Sequence, residues 1–334
     1  MRGAIAAIII TACLAPTVSV AQPVLTWPVA CKLNETCWFM NYADMLSESG
    51  RVRDPACKNR TYDGHTGTDI AVAGIDNFSK GVDVLAAASG KVFRLRDGEE
   101  DALKADDDIA AIIESKRECG NGIILDHGEG WLTQYCHLKK DSLQVKQGDQ
   151  VKAGQPIAQI GLSGITQHPH LHLSVLKDQL PVDPFTGQFL TGRCGLDVYA
   201  KTNMWQDKQI GYQAFSLIDG GFTSSKPDFN RLSATGEKPS VATAAAKNLI
   251  FWVTGFGAEA GDEYQIVIKG PDGKTLLDKR LKQTSRKARQ YWYAGIQTPN
   301  GLSGGTYTAT VTQRREDRNG GTVRTVLSRQ LTIS

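Results

Sequence analysis

Between residues 62 and 184 apolar and polar positions alternate in short runs, and turns that carry glycine separate the runs. The runs 69–73, 83–85, 90–95, 122–126, 131–137, 155–160 and 170–176 read as strands, because successive strand side chains point to opposite faces. The breaks fall at Ser89-Gly90, Gly128 to Gly130, Gln147-Gly148-Asp149 and Ala153-Gly154, each with turn chemistry. Antiparallel all-β is the class this pattern predicts. One segment departs from it. Residues 97–118 are acidic and alanine-rich (Asp106-Asp107-Asp108, then Ile109 to Ile113), which predicts a short helix on a solvated excursion. Were it to overhang the cleft, it would instead shape substrate access.

The alternation returns at Asn248. The runs 248–254, 264–269, 275–281, 289–294, 306–313 and 322–333, with a turn at Pro271-Asp272-Gly273, predict a β-sandwich of immunoglobulin-like architecture. It holds no histidine or cysteine, so a binding or spacer module is expected. Residues 185–245 read as a connector with strand signal around 209–218, ending in a Ser/Thr/Ala/Lys-rich linker over 223–246. Residues 22–60, with Trp27, Trp38 and Phe39, read as an irregular lead-in. The chain is therefore expected to be mainly β in five parts: 1–21, 22–60, 61–190, 191–246 and 247–334.

The first part carries its own signal. Met1-Arg2-Gly3 precedes an apolar stretch from Ala4 to about Ala15, and Ser19-Val20-Ala21 follows. A basic start, an apolar core and small residues at −3 and −1 predict a secretory signal peptide cleaved after Ala21. Ile10-Thr11-Ala12-Cys13 resembles a lipoprotein box, which would lipidate Cys13. The short apolar core ahead of it favours the conventional site. No later stretch has the length and apolarity of a spanning helix. Cysteine usage agrees with export to the periplasm or beyond. Outside the signal six remain, Cys31, Cys37, Cys57, Cys119, Cys136 and Cys194, an even set that suggests disulfides. Cys119 and Cys136 flank a predicted hairpin and are expected to pair. The other four allow three connectivities. A formal net charge of +3 gives no case for nucleic acid, although attraction to an anionic wall polymer is compatible with it.

All six histidines lie between His65 and His172. His65 stands four residues before Asp69, among glycines, at the mouth of an apolar run. His170 and His172 alternate on one predicted strand and would face one cavity together. Imidazole and carboxylate are zinc ligands, and a catalytic zinc takes three of them. His127, in a predicted turn, and His168, in a loop, read as structural.

Four motifs in order, His65-Thr66-Gly67-Thr68-Asp69, Gly120-to-Gly128 leading into Tyr135-Cys136-His137-Leu138, Val145-to-Gln155, and His170-Leu171-His172-Leu173, resemble the lysostaphin-type (LytM-like, β-lytic) zinc metallopeptidases of peptidoglycan. The resemblance covers residues 62–184. It implies an open sheet or hybrid barrel, zinc held by His65, Asp69 and His172, His170 as general base and acid, and His137 bonded to water or the developing oxyanion. Which of His170 and His137 is the base is open from the residues alone. Two departures stand out, the acidic insertion and His168-Pro169 where glycine-proline is usual. The implied activity is a zinc endopeptidase on peptidoglycan stem peptides or cross-links. The alternatives are a non-catalytic wall-binding or amidase-activating regulator, and a secreted protease of glycine-rich proteins. A Cys136–His137 nucleophilic pair is disfavoured, because Cys136 is expected in a disulfide and adjacent strand residues face opposite sides.

Overall fold

The computed structural model describes residues 22–334 apart from 47, 73–79, 230–231, 233–236 and 317–320. The expected signal peptide, Cys13 included, lies outside the described residues. Among the described residues eleven strands precede residue 190: β1 (Cys37–Asn41), β2 (Thr68–Val72), β3 (Asp83–Leu85), β4 (Gly90–Arg96), β5 (Asn121–Gly128), β6 (Trp131–Leu138), β7 (Gln150–Val151), β8 (Pro156–Gln159), β9 (His170–Lys177), β10 (Leu180–Asp183) and β11 (Gln188–Phe189). Nine of them form one antiparallel sheet in the order β1-β2-β9-β6-β5-β4-β7, with β10 pairing β9 and β11. β3 and β8 make a separate ribbon.

The centre of the sheet follows from its composition. β9 puts Leu171, Leu173 and Val175 into the core, together with Ile70 and Val72 of β2 and Tyr135 of β6. Residues i and i+2 share a face, so the same strand sends His170, His172 and Ser174 to the opposite side. At the centre of the sheet one face is oil and the other carries the polar group, with Trp38, Met40 and Ala71 beside it.

Two expectations change here. The lead-in is not wholly irregular, because β1 pairs with β2 and supplies buried Trp38, Phe39 and Met40. Its run Cys-Trp-Phe-Met-Asn does not alternate in polarity, since both of its faces are covered. The strand signal at 209–218 is displaced to β12 (Ser216–Thr223), which pairs with β13 (Asn248–Ala258). The C-terminal unit is therefore seven-stranded. A three-stranded sheet of β12, β13 and β16 (Lys287–Gln297) faces a four-stranded sheet. The latter runs β15 (Thr275–Lys282), β14 (Glu263–Lys269), β17 (Gly305–Glu316) and β18 (Thr322–Ile333). The two sheets share one core that includes Phe251, Val253, Ile266, Val311 and Leu327.

The acidic insertion forms α1 (Asp106–Glu114), but its stem is clamped rather than simply solvated. Asp101 accepts hydrogen bonds from the amides of Lys140 and Leu162 (2.9 and 2.6 Å), and Asn121 bridges to Glu99. Among the described residues three disulfides are present, Cys31–Cys37, Cys57–Cys194 and the expected Cys119–Cys136. Cys57–Cys194 spans 137 residues, and closing a loop of that size is worth about 4–5 kcal/mol in the chain-entropy account. The two units also touch. Trp38, Met40 and Ala71 pack against Ile218 and Phe256, and the buried Arg60 donates to the carbonyls of Phe39 and Gln213 across the junction.

Candidate metal centre

Asp69 on β2 lies directly opposite His172 on β9, and Ala71 opposite His170. Opposed residues in an antiparallel pair project to the same side, so one carboxylate and two imidazoles converge above the sheet. His65, ahead of β2, completes the group. His65 Nε2 is 3.0 Å from Asp69 Oδ1, His172 Nδ1 is 3.0 Å from the same oxygen, and the two nitrogens are 3.1 Å apart.

Partners on the far side of each ring fix what these atoms carry. Carbonyl oxygens only accept, so His65 Nδ1, 2.7 Å from the Tyr42 carbonyl, holds the proton and leaves Nε2 a bare lone pair. His172 Nε2 lies 2.9 Å from Ser174 Oγ, a hydroxyl able to accept its proton in the tautomer that turns a free Nδ1 to the group. Asn41 Nδ2 donates to Asp69 Oδ2 at 2.9 Å, turning Oδ1 to the group. Three ligand atoms thus meet 3.0–3.1 Å apart, an arrangement suited to a cation. Donors about 2.0–2.1 Å from a tetrahedral zinc would be roughly 3.3 Å apart, close to the edges observed. The residues fit the ion.

Two further imidazoles face the same space. His170 Nδ1 donates to the His168 carbonyl (2.8 Å) with Thr166 Oγ1 at 3.0 Å, leaving Nε2 bare at 3.5 Å from Asp69 Oδ1. His137 Nδ1 donates to the Ser163 carbonyl at 2.9 Å, and its ring centre is 4.7 Å from that of His170. His137 reaches this side by a backbone exception. Tyr135, two residues earlier, points into the core, and regular alternation would send His137 with it. Its φ of 61° is left-handed, uncommon for a non-glycine residue and typical of functional sites. The alternation argument against a Cys136–His137 pair therefore does not apply. The disulfide of Cys136 with Cys119 is what removes that thiol.

Electrostatics sort the groups. Burial opposes a charge on Asp69, yet the neighbouring His65 and His170 hold its carboxyl well below the usual range. Burial, with the imidazoles of His170 and His172, pushes His137 well below its ordinary value. Burial also lowers His170, but the Asp69 carboxylate outweighs it and the net shift is upward. His127 and His168 stand outside the group. His127 bonds to Ser89 and Thr133, and His168 bonds to the Val72 carbonyl and packs edge-on against Phe256.

The supporting residues carried weaker sequence signals. Ser174 continues the two-residue period of His170 and His172, and so could have been found. Asn41 could not, because its link to Asp69 depends on the β1–β2 register. Gly67 sits inside the first motif, and a Cβ there would lie 2.5 Å from the Leu173 carbonyl oxygen and 2.8 Å from His172 Nε2. Gly67→Ala is expected to push His172 aside and weaken zinc binding by about 10–100-fold, as losses around metal ligands do. Titration against a competing chelator reads this directly; unchanged affinity would contradict it.

Residues 63–184 match Peptidase family M23. Peptidoglycan DD-endopeptidase ShyB of Vibrio cholerae is 32% identical over 119 residues, 36% of this chain and 22% of that protein. Cell division protein DipM of Caulobacter vibrioides is 34% identical over 86 residues, 24% of this chain and 14% of that protein. Matching thus spans less than a quarter of either relative. The catalytic domain of the antimicrobial peptidase lysostaphin from Staphylococcus simulans is 25% identical, covering 43% of this chain and 85% of that one at a TM-score of 0.28.

Proposed function

Starting from the M23 peptidase domain of residues 63–184, we propose that this chain is a zinc-dependent endopeptidase, exported to the periplasm or beyond, that hydrolyses peptide bonds of peptidoglycan stems or cross-links. The observation that carries the reading is the meeting of one ligand atom each from His65, Asp69 and His172 beneath two further imidazoles. Zinc held there would act as a Lewis acid on a peptide carbonyl and bring the pKa of water to about 7. His170 is the general base. Its Nε2 is aimed at the site, its Nδ1 is anchored by His168 and Thr166, and Asp69 stabilises the imidazolium formed when it takes the water's proton. The same Nε2 then delivers that proton to the leaving nitrogen. His137 presents a bare Nε2 and accepts a hydrogen bond that orients the attacking water. Tyr62, stacked on His65 with ring centres 4.3 Å apart and half exposed, forms one wall.

Digestion of defined muropeptides, with products identified by mass spectrometry and His65→Ala as control, tests the reading. New amine and carboxyl termini that need zinc and His65 are expected. A zinc-loaded protein that releases none from any wall preparation would contradict it and favour a regulator.

The C-terminal unit enters this chemistry through the loop before β9. Arg289 donates to the Gln167 carbonyl at 2.9 Å, Phe256 packs on His168, and the His168 carbonyl holds His170. Arg289→Ala is expected to lower kcat about 2- to 30-fold, the range for couplings of 0.5–2 kcal/mol, with KM and zinc content little changed. An unaltered kcat would show that the junction does not position His170.

A further inference from the structure

Charge is divided unevenly along the chain. Residues 247–334 carry fourteen Lys and Arg against seven Asp and Glu, a net of +7, whereas the whole chain is only +3. On the four-stranded sheet the excess is concentrated at one end. Register places Lys282 beside Glu263, Glu263 beside Arg314 and Arg314 beside Arg324 in a single cross-strand row. Arg280 starts the next row, opposite Gln265. Arg280, Lys282, Arg314 and Arg324 are all exposed, and among the described residues none is seen paired with an acid. Arg314 and Arg324 stand directly opposite, with Cβ atoms about 4.5–5.5 Å apart, a placement that destabilises a sheet. Three of these cations line an open groove of about 180 Å³ with Gln265, Thr312 and the single acid Glu263.

This end of the sheet is the one that meets the peptidase unit. Arg315, next to Arg314, donates to the carbonyls of Gly257 and Ala214 at the junction. Just beyond Lys282, Arg286 donates to the Asn59 carbonyl. Arg286 and Lys287 line a second groove with Tyr62, the residue stacked on the metal-centre histidine His65. Cations thus run from the outer face of the sheet to the rim of the metal centre. Folding alone does not call for such a row, and an anion laid along it would offset the repulsion.

We propose that the row Lys282, Arg314 and Arg324, with Arg280, is a binding surface for a carboxylate-bearing polymer, the acidic peptides of peptidoglycan, held beside the metal centre. It rests on the reading of the chain as a peptidoglycan endopeptidase for the identity of the polymer, while its test measures binding and not cleavage. The full exported chain is co-sedimented with purified, acid-stripped peptidoglycan and compared with the triple variant Arg280→Gln, Arg314→Gln, Arg324→Gln. Exposed ion pairs are individually weak, so the expected loss is about five- to tenfold in affinity at low salt, disappearing at 1 M salt, where screening extends to only about 3 Å. Amidating the peptide carboxyl groups should reduce wild-type binding to the level of the variant. The thermal midpoint of the variant should stay close to that of wild type, since it loses the Arg314–Arg324 repulsion together with the Arg314–Glu263 attraction across the strands. Equal binding by both proteins, or binding indifferent to amidation, would overturn the proposal. So would wild-type binding that survives only on walls retaining phosphate polymers. A chain that binds in this way but cleaves nothing would leave the surface standing and refute the enzyme.

Discussion

His65→Ala is expected to lose the metal and the hydrolysis together. His65 supplies one of three converging lone pairs, and its removal leaves Asp69 and His172 as a two-ligand site. A Lewis-acid metal contributes several kcal/mol to the stabilisation of developing charge. At 1.36 kcal/mol per tenfold, the loss should be at least roughly 10³-fold in kcat/KM. Metal analysis after gel filtration should fall from near one zinc per chain to almost none. Stability gives an independent view, because a ligand present at about a thousand times its Kd raises stability by about 4 kcal/mol. Wild-type protein should therefore melt at a higher temperature with added zinc, and His65→Ala should not respond. A variant that keeps its zinc would show that the ion, if bound, is held elsewhere.

His170→Ala should separate the metal from the proton. His170 Nε2 lies 3.5 Å from Asp69 Oδ1 and is placed by Thr166 and the His168 carbonyl rather than by the ligand triangle. Loss of a general base costs typically 10²–10⁴-fold, and the fall is expected in kcat. Zinc content and the zinc-dependent rise in melting temperature should stay at wild-type values. His137→Ala should also lower kcat, but by less if its task is to orient water rather than to accept the proton. Were His137→Ala the more damaging change, the two roles would be exchanged. Loss of zinc in His170→Ala would instead place His170 among the ligands.

Much of this was legible in the sequence because the relevant signals are local and periodic. The pair His170 and His172 reads as one face of a strand, and β9 carries both to the site while Leu171 and Leu173 enter the core. The hairpin that brings Cys119 to Cys136 was legible for the same reason, since its turn lies at Gly128 to Gly130. What could not be read depends on register or on single backbone angles. Asn41 meets Asp69 only because β1 adds to the edge of β2, and an unbroken buried run such as Cys37–Asn41 has no period to betray a strand. His137 reaches the site by a left-handed φ that the alternation of a strand does not predict. β12 was misplaced because its Asp219-Gly220-Gly221 centre reads as a turn. There Gly220 is needed for close approach, as a Cβ would lie 2.7 Å from the Trp252 carbonyl oxygen.

Anomalous diffraction from zinc-soaked crystals, measured on both sides of the zinc absorption edge, tests the central claim most directly. A single strong peak is predicted within about 2.0–2.2 Å of His65 Nε2, Asp69 Oδ1 and His172 Nδ1, with His170 and His137 nearby but not bound. A peak at other side chains, or none at this triangle in zinc-saturated crystals, would contradict the account.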